Sequence, residues 1–150
     1  MNSCFGLPWR GALSGALLAL LAATPAWSHD EATLDAMEAP HGGQLRMSGN
    51  HHYELVVAKS GEAGEHPVQV FVSNHAGDAQ DVSGARAQAV MQSGKLRTWV
   101  TLQPDGPSAF KGWAKYPPAA DLIVLLNVTF PDGSIEQARF TPLARRAPAQ

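Results

Sequence analysis

Cysteine is almost missing from this chain. The single one, Cys4, lies ahead of the first apolar run, so everything after it is without disulfides, thiolate zinc sites, iron–sulfur clusters or thiol redox chemistry. That position also rules Cys4 out as a lipid-anchor cysteine at a cleavage site. Long apolar runs are scarce. Residues 11–23 are mostly Leu and Ala but fall short of the roughly 20 residues that a spanning helix needs. Residues 124–130 are interrupted by Asn127 and Thr129 and have the length of a buried strand. Neither sign of charge dominates: 11 Lys and Arg stand against 13 Asp and Glu, for a net charge of −2. The basic residues are scattered along the chain, which argues against nucleic-acid binding. Catalytic constellations are absent too. Ser48-Gly49 and Ser83-Gly84 sit in turns without the context of a nucleophile elbow, and no Gly-rich phosphate loop precedes a helix. The chain does not read as an enzyme.

What is present begins with a leader. Arg10 precedes the apolar run, Pro25 breaks it, and Ala26-Trp27-Ser28 places small residues where signal peptidase requires them. The leader has no twin-arginine pair. Cleavage after Ser28 would start the mature chain at His29; an uncleaved membrane anchor is the other reading. The style of the leader and the short chain point to a bacterium and hence to the periplasm, with no membrane attachment after cleavage. The expected organisation is a signal peptide over residues 1–28, a polar, acidic arm over 29–40 read as loosely ordered with a short helix as the alternative, one domain over 41–141, and a frayed tail over 142–150. A domain of that length can bury a core without covalent staples.

From Gln44 onward the hydrophobic period is two. Leu45 and Met47 alternate with polar neighbours, residues 53–57 form a second strand, and Val68, Val70 and Val72 define a third. Further strands are expected over residues 86–91, 96–102, 109–116, 122–130 and 135–141. Turn residues separate them: Asn74-His75-Ala76-Gly77-Asp78 after the third strand, then Ser93-Gly94, Pro104-Asp105-Gly106-Pro107, Pro117-Pro118 and Pro131-Asp132-Gly133-Ser134. Residues 122–130 are apolar on both faces and read as a central strand. Seven or eight short strands spaced by Gly and Pro turns predict an all-β fold. The expected architecture is an immunoglobulin-like antiparallel β-sandwich, with a small closed barrel as the alternative.

Histidine is where chemistry could live. There are six, and four of them (His29, His41, His51 and His52) fall within residues 29–52. Neutral imidazole suits copper, zinc and nickel, the nearby thioethers Met37 and Met47 favour Cu(I), and Glu54 would favour Zn(II) or Cu(II). Adjacent residues in a strand point to opposite faces, so His51 and His52 cannot share an ion. By parity His52 sides with Glu54, whereas His51 sides with Tyr53 and Leu55 toward the core. The bland alternative makes each histidine an ordinary surface or turn residue. If cleavage follows Ser28, His29 gains a free amine and could chelate Cu(II) through amine and ring together. Trp99 and Trp113, on adjacent predicted strands, could form a binding platform or simply stabilise the sheet.

The stretch Ala39-Pro40-His41-Gly42-Gly43, followed by His52-Tyr53-Glu54-Leu55-Val56-Val57, resembles the small periplasmic proteins found with bacterial heavy-metal efflux systems. It is also similar to the N-terminal region of the periplasmic adaptor subunits of those pumps. There a Pro-His-Gly-Gly turn leads into a strand with an aromatic-Glu-Leu pattern. Shorter matches continue through Val70-Phe71-Val72, Asp81-Val82-Ser83-Gly84-Ala85 and Ala138-Arg139-Phe140. The resemblance implies a metal-handling accessory, with copper or zinc as the ion and an efflux-pump component as a partner. It carries over His41 with its two glycines, and His52 and Glu54. The hairpin, lipoyl and barrel regions of a full adaptor have no counterpart here. The candidate metal residues are therefore His41, His52, Glu54, His51 and His29. Two rivals stand beside this expectation: a metal-free interaction module docking through a sheet edge or the Trp99/Trp113 face, and a copper site built on His29.

Overall fold

A computed structural model describes residues 31–145. The expected signal peptide, His29 and the end of the tail lie outside the described residues. A short helix, α1 (Glu31–Ala36), precedes eight strands: β1 (Gln44–Ser48), β2 (His51–Val57), β3 (Gly64–Ser73), β4 (Arg86–Ser93), β5 (Leu96–Pro104), β6 (Ala109–Tyr116), β7 (Ile123–Thr129) and β8 (Ile135–Phe140). All pairings are antiparallel, and the strands form one sheet in the order β1-β2-β3-β6-β5-β4-β7-β8. The all-β fold expected from the alternating pattern is the one observed. Strands β4 to β7 make a Greek key, with β7 returning beside β4. No helix among the described residues is long and apolar enough to cross a membrane.

The sheet curls until its two ends meet. Residues two apart on each strand share a face, so Tyr53, Leu55, Val68, Val70, Val72 and Phe110 from one half converge on Ala87, Ala89, Met91, Val124, Leu126 and Phe140 from the other. Bulky side chains from the first half fill the space left by the alanines of β4. Between β5 and β6 the ladder is short, pairing Gln103 with Lys111 and Pro104 with Phe110. Gly112 sits on the inner face of β6 at this corner. A Cβ there would lie 2.8 Å from Val100 Cγ2 and 2.9 Å from Leu102 Cδ2, so the absent side chain is what lets β5 pack so close.

Between β1 and β8 the seam is held by side chains. Ser48 Oγ accepts from the Gln137 N–H at 3.2 Å, and Gln44 Oε1 accepts from the Thr141 N–H at 2.8 Å. Deeper in the seam, Tyr53 donates its hydroxyl to Glu136 Oε2 at 2.6 Å, and His51 Nδ1 lies 3.0 Å from both oxygens of the same carboxylate. Gly49 turns the β1–β2 hairpin at φ 56°, and a Cβ there would fall onto the Glu136 carboxylate. The seam thus needs glycine at this position for conformation and for space.

One expectation changes. In the described part of the arm over residues 29–40 the short-helix alternative is the one observed: Glu31–Ala36 is helical, and Leu34 is buried with Ala39 and Leu45, with Met47 packed against them. Asp35 accepts from Arg46 Nη1 at 2.7 Å and from Gln44 Nε2 at 3.0 Å, tying the helix to β1. Six residues are too few for a helical period to show in the sequence. The alternation at Leu45 and Met47 marks the outer face of β1. They lie opposite Glu54 and His52 in the β1–β2 ladder, on the outer side of the sheet, where they form a satellite cluster with the helix. Of the tail, Leu143 packs against the main core. Strand β7 is central in its hydrogen bonding, yet its outer face is open: Leu125 is 41% exposed.

The chain has two tyrosines, Tyr53 and Tyr116, and both face inward. Burial, reinforced by the hydrogen bond to Glu136 and the charge of that carboxylate, holds the Tyr53 phenol far above its ordinary value. Burial also raises Tyr116. Raised folded values make this contribution to stability complete below about pH 10 and lost progressively above it, as the unfolded chain ionises. In an alkaline titration, the phenolate absorbance is expected to appear only together with loss of the β-sheet circular dichroism. Phenolate formed while the sheet signal persists would contradict this packing.

Candidate metal centre

The outer face of β1, β2 and β3 carries the site. On β2, His52 and Glu54 point to this face, with Ser73 and Phe71 of β3 as their direct partners on one side and Met47 and Leu45 of β1 on the other. The turn at Pro40-His41-Gly42-Gly43 folds over it, closed by the Gly42 N–H donating to the Ala39 carbonyl at 2.9 Å.

Glu54 fastens this turn. Its side chain is only 4% exposed, and both oxygens are engaged. Oε1 accepts from the backbone N–H groups of His41 at 2.8 Å and Gly43 at 2.9 Å, and Oε2 accepts from His41 Nδ1 at 2.8 Å. A carboxylate only accepts, so the ring nitrogen facing it carries the proton and Nε2 is left as the lone-pair nitrogen. The imidazole lies flat on Phe71, with ring centroids 3.6 Å apart and planes 5° apart. A carboxylate behind a histidine with its far nitrogen outward is how metal-ligating histidines are oriented. Glu54 therefore holds His41 and its turn in place.

His75 is the residue that the sequence expectation left out. Asn74 builds the turn that presents it: Asn74 Oδ1 accepts from the N–H groups of Ala76 and Asp78, each at 2.9 Å, and the Asn74 N–H donates to the Asp78 carbonyl at 2.8 Å. The His75 ring meets the ring of buried His52 edge to face, with centroids 4.8 Å apart. Because His52 pairs with Ser73, a residue two positions past Ser73 falls beside it. The Asn-His-Ala-Gly-Asp turn was legible in the sequence; the register that aims it was not. His41, His52 and His75 line one cleft of about 560 Å³, together with Met37, Glu38 and Phe71.

His51 is not part of this cleft. Parity sends it to the opposite face, where it contacts Glu136 and stacks on Phe130 with ring centroids 5.0 Å apart. It belongs to the seam, as its siding with Tyr53 implied. His29 lies outside the described residues. Among the described residues, no three His, Cys, Asp or Glu side chains converge as a ligand set. What the fold assembles is a pair of adjacent imidazoles and a third, preoriented one on the same wall. No family model matches this chain, and neither a curated protein nor a solved structure matches it.

Removing the Glu54 carboxylate would leave the His41 and Gly43 N–H groups without their acceptor and free the His41 ring. Glu54→Ala is expected to lower stability by about 2–4 kcal/mol in denaturant unfolding. Truncating the half-exposed partner in His41→Ala should cost about 1 kcal/mol or less. Equal losses for the two variants would contradict the anchoring role.

Proposed function

We propose that this chain is an exported periplasmic accessory of heavy-metal homeostasis that reversibly binds a copper or zinc ion in the cleft between the Pro40–His41 turn and the Asn74–Asp78 turn. The observation that carries this reading is the juxtaposition of His52 and His75 beside a cleft on whose wall Glu54 orients His41. Support also comes from the leader, and from the resemblance of the Pro-His-Gly-Gly turn and the following strand to small proteins of metal-efflux systems.

Two imidazoles are the primary ligands, from His52 and His75. The lone-pair nitrogen of His41 is a third donor held on the same wall. Met37, in the cleft wall, supplies a thioether that favours Cu(I) over Zn(II). Each imidazole binds the ion through a ring-nitrogen lone pair, so protons compete with the metal for the site. Coordination through few ligands at an open cleft suits release as well as capture, and transfer to an efflux-pump component follows from that. No turnover is involved.

Titration of the purified secreted protein with Cu(I), Cu(II) and Zn(II) tests the reading. One equivalent should bind tighter than about micromolar, roughly 8 kcal/mol. His52→Ala and His75→Ala should each weaken binding about tenfold or more, and His51→Ala should leave it unchanged. Binding no tighter than that of a scattered-histidine control, or equal losses for all three variants, would sink it.

A further inference from the structure

The basic residues, scattered in sequence, are gathered by the fold. Strands β6, β5, β4, β7 and β8 are neighbours in the sheet, and their outward positions carry Lys111, Lys115, Arg97, Arg86 and Arg139. No outward position on these five strands is Asp or Glu, although acidic residues outnumber basic ones in the chain. The one carboxylate of β8, Glu136, is turned to the seam. The same face exposes the largest apolar side chains among the described residues, Trp99 at 67% and Trp113 at 58%.

Two shallow grooves cross it, each walled by one tryptophan. In the first, about 360 Å³, Val90 and Leu125 line the apolar surface beside Trp99, Arg97 and Arg139 supply cations, and Asn127 and Gln137 supply amides. Arg97 holds its guanidinium carbon 5.4 Å from the centre of the Trp99 ring. The second, about 420 Å³, sets Trp113 beside Lys111, Gln103 and Thr101, with Asp105 at its hairpin end. The face therefore repeats one chemistry twice: a flat aromatic wall, a cation, and neutral hydrogen-bonding groups.

We propose that this face binds an acidic polysaccharide whose pyranose rings carry carboxylates. The apolar C–H face of a sugar ring stacks on an indole, its hydroxyls pair with amides and hydroxyls, and its carboxylate pairs with arginine or lysine. A repeated groove suits a repeating polymer. An extended peptide would instead add to a sheet edge, and here the two edge strands are held against each other at the seam. This inference is independent of the metal cleft, which lies on the outer face of β1, β2 and β3.

Binding of the full chain to polygalacturonate, to its fully methyl-esterified form, to dextran, to polyglutamate and to single-stranded oligothymidylate tests it by calorimetry. Polygalacturonate should bind at least tenfold tighter than each of the other four. Trp99→Ala and Trp113→Ala should each weaken it about tenfold with unfolding midpoints unchanged, and Arg97→Gln with Arg139→Gln should abolish the preference over the methyl ester. Equal affinity for polyglutamate would mean that charge alone is read, and equal affinity for the oligonucleotide would move the face to nucleic acid. Either result, or no binding to polygalacturonate, overturns the proposal.

Discussion

An eight-stranded sheet has two edges, and the way this one closes governs everything else in the molecule. The inner face cannot be buried unless β1 approaches β8, and no regular ladder joins them. Side chains do the joining: Ser48 and Gln44 reach backbone N–H groups of the other edge, and the Glu136 carboxylate gathers Tyr53 and His51 behind them. Buried polar groups of this kind hold a structure only when each has its partner. Closure at this seam completes the core that Tyr53, Phe110 and Phe140 fill. It also leaves the outer face of β2 facing out, with its histidine and glutamate in place.

Two neighbouring histidines illustrate how one covalent step separates two roles. His51 looks to the seam and serves closure; His52 looks to the cleft and meets His75. Each has a second residue behind its chemistry: Glu136 fixes His51, and the turn built by Asn74 presents His75 to His52. Glu54 does for His41 what Glu136 does for His51, but with the ring half exposed. A carboxylate satisfied by two backbone donors and one ring is a rigid mount. Rigidity of that kind, more than the number of histidines, favours a ligand-binding reading of the cleft.

Local pattern carried much of the fold. Strict alternation at Val68, Val70 and Val72, the glycine and proline turns, and the parity of His51 and His52 were all legible in the chain. Pairings between strands distant in sequence were not, because nothing local sets β3 beside β6 or β4 beside β7. Three consequences of that order were therefore hidden. His75 was placed by the register of β2 against β3. Glu54 holds the His41 turn because that turn, eleven to thirteen residues earlier, returns to it. Charges that looked scattered came together because alternate residues of five adjoining strands share one face. The helix at Glu31–Ala36 stood only as an alternative to a loose arm for another reason: its one buried residue, Leu34, is held by contacts with β1.

The most direct test of the central claim is nuclear magnetic resonance of the histidine ring nitrogens in the secreted protein as Cu(I) is added. Coordination in the cleft predicts that the ring signals of His52 and His75 shift together and saturate at one equivalent, with His41 responding and His51 unmoved. Uniform small shifts across all the histidines, or a selective shift at His51, would contradict a metal site between these two turns.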